Sequence, residues 1–177
     1  QPALFDLTDA LYTAAADPRV EAVVAELGPG RFDLAQNQAI AAAIAAVRAA
    51  GKPTYVFTDS FGELSPGYAA YHLAAAFDEI WLQPVGQLAT TGIAIETSFY
   101  GDLIGRLGIR PEFGFREEYK TARHHLLFGR PTGPQAEMMA DLASNLQHQT
   151  EEDIARGRGL TPAQIDAALQ RAPLGDE

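Results

Sequence analysis

Between residues 20 and 83, three short runs rich in β-branched and aromatic residues alternate with two helical patterns. That order limits the possible folds more than anything else in the chain. "VEAVVAEL" (20–27) is short, rich in valine and closed by Gly28-Pro29-Gly30, which predicts a parallel strand buried on both faces. Asp33 followed by Gln36 forms a capping-box start, Ile40, Ile44 and Val47 supply an inward stripe, and Gly51 stands where a helix should stop; a helix is expected over 33–50. "TYVFT" (54–58) reads as strand, "GYAAYHLAAAF" (67–77) as a helix of small residues and "EIWLQ" (79–83) as strand again. Strand, helix, strand, helix, strand implies an α/β fold: a parallel β-sheet with right-handed crossover helices.

The flanks add helices. Leu4, Leu7 and Leu11 recur at helical spacing until Asp17-Pro18, where the residue before proline is pushed out of the helical region. After "TTGIAIET" (90–97), Phe99, Leu103 and Leu107 form another stripe ending at Gly108, and "RPEFGF" (110–115) is expected to be a strand. Thr132 with Gln135, and Thr161 with Pro162 and Gln164, mark the starts of helices over 133–156 and 162–171. A chain of 177 residues suits one domain. The expectation is a single α/β domain over 1–177, with a sheet core over 1–131 and a helical extension over 132–177.

A formal net charge of −10 argues against a nucleic-acid partner, because duplex binding draws much of its affinity from Lys and Arg neutralising phosphates. It also sets the chain against anionic membrane surfaces. The absence of cysteine removes disulfides, thiolate nucleophiles and cysteine zinc sites. No apolar run approaches the roughly 20 residues that span a bilayer, and no signal-peptide pattern opens the chain. Residue 1 is Gln rather than Met, so the chain is expected to be a piece of a longer protein whose anchor, if it has one, lies elsewhere.

Among chemistry-bearing residues, His72, His124, His125 and His148 show none of the spacings that hold zinc, so no metal is expected. "GELSPG" (62–67) places Ser65 in a spacing one residue too long for a nucleophile elbow and reads as a turn. Gly28-Pro29-Gly30 could aim backbone N–H groups at an oxyanion but, lacking the G-x-G-x-x-G pattern, reads as a strand-ending turn. Glu117-Glu118 and Glu151-Glu152 are sequence neighbours that read as solvated pairs. "REEYKTARHH" (116–125) is dense in charge and contains Lys120. A lysine acts as a general base only when neutral, which requires its pKa to fall from about 10.4 to roughly 7–8 through burial and nearby positive charge. Arg116 and Arg123 push in that direction, Glu117 and Glu118 against it. On composition alone, Lys120 is a solvated surface residue.

Across residues 4 to 170 the chain resembles the first half of a long-type signal peptide peptidase A, a family of serine/lysine peptidases with the Clp-protease/crotonase fold. The resemblance is carried by "LFDLTDALYTAAADPRVEAVVAEL" (4–27), "IAAAIAAVRAAGKPTYVFTD" (40–59), "YHLAAAFDEIWLQPVG" (71–86), "GDLIGRLGI" (101–109), "EEYKTARHHLLFGRPTGPQ" (117–135) and "IARGRGLTPAQI" (154–165). It implies that Lys120, the lysine of the Y-K pair, is the general base of a Ser/Lys dyad. Short single-domain members carry their serine just before the third helix, where Tyr68 stands here. Their glycine-rich oxyanion turn is replaced by Gly28-Pro29-Gly30-Arg31. Both departures match the long type, which implies a first tandem domain giving the lysine and a second giving the serine. The resemblance further implies a peptide substrate (cleaved signal peptides), no cofactor, a ring-shaped homo-oligomer, and a place at the bacterial inner membrane facing the periplasm. Two competing readings keep the fold: a non-catalytic assembly module, and an acyl-CoA enzyme of the crotonase type. Against the latter, no basic cluster stands near Gly28 to hold CoA phosphates.

Overall fold

The structure, a computed structural model, describes residues 3–28, 32–62, 67–89, 92–114 and 116–170. They form two compact units, Gln1–Gly92 with Gln149–Glu177, and Ile93–His148.

The first unit holds the sheet. Strands β1 (Val23–Glu26), β2 (Thr54–Thr58) and β3 (Glu79–Leu82) lie in the order β1-β2-β3, all parallel, with Val24 opposite Tyr55 and Tyr55 opposite Glu79. Helix α1 (Leu4–Ala16) packs on α2 (Leu34–Ala49), and α2 packs in turn on α3 (Gly67–Ala74). The helix α2 starts as its sequence dictates: Asp33 accepts from Gln36 N–H at 2.8 Å, and the Gln36 side chain accepts from Asp33 N–H at 2.9 Å. Its inward stripe, Ile40, Ala43, Ile44 and Val47, is buried against Val56, Leu73, Phe77 and Leu11. Buried Asn37 donates to the Ala69 carbonyl at 2.8 Å, tying α2 to α3 through a satisfied polar group.

The expectation that the 20–27 run is a strand buried on both faces is corrected. Val23, Ala25, Val56 and Ile80 pack toward the helices, whereas Val24 is 76% exposed and Trp81 61%. The reason lies in the strand order. Because the sheet grows in one direction, right-handed crossovers put α2 and α3 on the same face.

Asp78 joins the starts of β2 and β3. Its carboxylate accepts from Thr54 N–H at 2.9 Å, Thr54 Oγ1 at 2.8 Å and Arg48 Nε at 2.7 Å. Burial raises its pKa, but the Thr54 hydrogen bonds and the Arg48 guanidinium outweigh burial and hold it below the ordinary 3.8. The helix α3 stops at Ala74 rather than Phe77, and the chain closes through tight bonds from Ala76 N–H to Leu73 and Phe77 N–H to Ala74 before reaching Asp78.

The second unit contains α4 (Gly101–Arg106), α5 (His124–Leu127) and the start of α6 (Gly133–Arg158); the end of α6 and α7 (Pro162–Leu169) belong to the first unit. Residues 110–114 form no strand, which corrects the reading of "RPEFGF"; Phe115 lies outside the described residues. A strand needs a ladder partner. Pro111 has no N–H to give one, and the second unit offers none among its described residues.

Near its C-terminus α6 meets the first unit's core closely. A Cβ at Gly157 would overlap the Ala75 carbonyl oxygen, and Arg158 Nη1 donates to the carbonyls of Phe77 at 3.1 Å and Asp78 at 3.3 Å. Helix propensity alone favours alanine over glycine by about 1 kcal/mol at such a site. Gly157→Ala should nonetheless destabilise, by about 1–3 kcal/mol in urea unfolding, because overpacking against backbone outweighs propensity. The depressed pKa of Asp78 sets a second expectation. Its contribution is present above 3.8 and lost as pH falls through the folded value. Asp78→Asn should therefore be less stable than the parent at neutral pH, with the gap in melting temperature closing in acid.

Candidate active site

Lys120 stands at the centre of a tight turn in the second unit. Thr121 N–H donates to the Tyr119 carbonyl at 3.0 Å, a three-residue closure that puts the Lys120 side chain at its apex. Both flanks of this turn are tied to the start of α6. On one side, Tyr119 Oη donates to Glu137 Oε2 at 2.8 Å. On the other, His124 N–H donates to the Thr121 carbonyl at 2.8 Å, and the His124 ring is buried. In its Nδ1–H tautomer, His124 donates to Gln135 Oε1 at 3.2 Å; Thr132 Oγ1 lies 3.3 Å from the same nitrogen. The ring also meets Phe128 edge to face, centroids 5.1 Å apart. Thr132 and Gln135 mark the helix start as their spacing predicts, and their side chains converge on His124. The hydrogen bond to Glu137, with that carboxylate's charge, raises the pKa of the Tyr119 phenol.

Lys120 itself is exposed, and its side chain makes no hydrogen bond or ion pair among the described residues. The contrast is with Lys52, the chain's other lysine. Lys52 Nζ donates to the carbonyls of Ala14 at 2.5 Å and Asp17 at 2.6 Å, satisfying the end of α1 with a positive charge. Its amine is engaged in holding the end of α1.

The remaining candidates fall elsewhere. Ser65, Pro29, Gly30 and Arg31 lie outside the described residues. Ser60 Oγ donates to the Gln87 carbonyl and accepts from Gln87 N–H, both at 3.2 Å, so its hydroxyl links two backbone segments. Tyr68 is buried at 3% exposure, and its hydroxyl has no hydrogen-bond partner among the described residues; burial, then the Glu151 carboxylate, pushes its phenol well above the ordinary 10. Such a phenol is neither exposed nor ionised near neutrality.

His72, also buried, places Nε2 3.1 Å from Asp153 Oδ2, linking α3 to the C-terminal part of α6. Burial raises the pKa of Asp153, and hydrogen bonds from His72, Arg156 and Gln38 outweigh it and lower the net value. His125 follows His124 in α5 and His148 lies in α6. Among the described residues, no group of three or more His, Asp and Glu side chains could hold a metal ion. An open pocket of about 600 Å³, lined by Asp102 and the segment from Phe128 to Gly133, follows α5. Its Thr132 hydroxyl is the one beside His124.

The anchoring side chains His124 and Glu137 were not legible as such in the sequence. His124 stands 11 residues from Gln135, and Tyr119 18 from Glu137, separations that no helical or strand period reports. The two lysines should separate in a stability measurement. Lys52→Met should cost about 1–3 kcal/mol, since it leaves two carbonyls without their charged donor. Lys120→Met should stay within about 0.5 kcal/mol of the parent, because its amine holds nothing together.

The chain is 26% identical over 144 residues to Protease 4 of Haemophilus influenzae, covering 81% of this chain and 22% of the relative. To Protease 4 of Salmonella typhi it is 26% identical over 168 residues, covering 94% of this chain and 26% of the relative. The chain thus spans about a quarter of the length of these curated relatives. Among solved structures, an enoyl-CoA hydratase/isomerase family protein from Silicibacter pomeroyi overlaps 95% of this chain and 83% of its own, at 20% identity and a TM-score of 0.34, too loose to define a common fold. The family model for peptidase family S49 matches residues 46–175, which include Lys120 and both of its anchors, and the chain belongs to that family.

Proposed function

We propose that this chain is the part of a longer serine endopeptidase that supplies the general-base lysine, Lys120, to a Ser/Lys dyad whose serine lies in a second domain of the same protein. The observation that carries this reading is the state of the two lysines. One is held by the end of α1, and the other stands uncommitted at the apex of an anchored turn, inside the segment matched by a peptidase family.

In this reading the neutral Lys120 amine takes the proton from the serine Oγ as that oxygen attacks a peptide carbonyl carbon. The same proton then passes to the leaving amine as the peptide C–N bond breaks, leaving an acyl-enzyme. A water molecule gives its proton to Lys120 and its oxygen to the acyl carbon, and the serine recovers its hydrogen. Lys120 is exposed in this chain, so the burial that makes a lysine a base at neutral pH has to come from another surface closing over the turn. The reading therefore requires the second domain for two reasons, nucleophile and desolvation.

The substrate we propose is remnant signal peptide at the bacterial inner membrane, on the periplasmic face, with the protein assembled as a ring. No helix among the described residues is long and apolar enough to cross a membrane. In the full-length protein, Lys120→Ala should abolish hydrolysis of a signal-peptide sequence while light scattering reports an unchanged assembly. Turnover retained in that variant would remove Lys120 from the mechanism.

A further inference from the structure

We propose that Tyr119 and Glu137 are positioning residues for Lys120, acting through the hydrogen bond that ties its turn to α6. The inference rests on the reading of Lys120 as general base and adds to it the way in which the amine is aimed.

Two observations support it. First, the turn is closed on itself through Thr121 N–H and the Tyr119 carbonyl, so Lys120 leaves the backbone from a fixed apex. Second, the residue before that apex reaches α6 at Glu137 and the residue after it leads through Thr121 to His124, whose ring lies against Gln135; both tethers end in the first turns of the same helix.

The two tethers differ in character. The His124 side is buried and edge-on to Phe128, so it belongs to the packing of the unit. The Tyr119 side is half exposed and rests on one hydrogen bond between a phenol and a carboxylate. Losing that bond removes little from the folded unit, yet it frees the residue next to Lys120. Misplacing a reacting group by about 1 Å costs on the order of 100-fold in rate.

The test uses the full-length protein and a signal-peptide substrate. Tyr119→Phe and Glu137→Ala should each lower kcat by about 10- to 100-fold, with KM within about twofold and melting temperature within about 3 °C. The double variant should lose no more than either single one, because both break the same bond. Glu137→Gln, which keeps an acceptor oxygen for the phenol, should restore most of the rate. Tyr119→Phe with undiminished kcat, in a protein that Lys120→Ala inactivates, overturns the positioning role and leaves Lys120 as base. Activity surviving in Lys120→Ala overturns both.

Discussion

The hydrogen bonding of β2 on both sides is the constraint on which the first unit depends. With β1 and β3 each paired in parallel to it, the crossover helices must return along the same face, and their apolar stripes have one place to go. Asp78 fixes the register at the N-terminal edge, where one carboxylate accepts from the backbone and hydroxyl of Thr54 and from Arg48 at the end of α2. Sheet start and helix end are joined by a single side chain, which is economical in residues and sensitive to acid for the same reason.

The second unit has no sheet among its described residues and organises its candidate site by different means. A turn is given a fixed direction by polar side chains that reach the beginning of α6. On the proposed reading of Lys120, this arrangement suits an amine that presents itself to a partner surface. A lysine already buried in its own unit would be rigid but closed to a nucleophile from another domain, and a lysine on an untethered loop would reach any position and hold none. An exposed side chain on a tethered backbone meets both requirements, provided that the arriving surface supplies the dry wall.

Much of the fold was legible because its signals are local. The capping pair Asp33 and Gln36, the stripe Ile40, Ile44 and Val47, and the run Thr54–Thr58 each act within one or two turns or one strand, and each forms where its pattern places it. What failed was non-local. "RPEFGF" has strand composition but gains no ladder partner, and composition cannot report a missing neighbour. The exposure of Val24 and Trp81 follows from strand order, which no single strand encodes. The four residues of α5 are too few for any period to show, although their His124 is the buried post of the Lys120 turn. Lys120 itself was visible only through family resemblance, since a lysine among charges has no local mark of function.

The chain has 13 basic residues apart from histidine, and all but Lys52 and Lys120 are arginines. Guanidinium stays protonated in proteins, so none of those arginines can serve as a base. Any amine chemistry in this chain therefore falls to Lys52 or Lys120. Deprotonating Lys52 would strip the charged donor from two carbonyls at the end of α1. Deprotonating Lys120 would break no contact among the described residues. On the proposed reading, whatever surface closes over the turn would have to supply the dry wall that makes Lys120 a base as well as the serine.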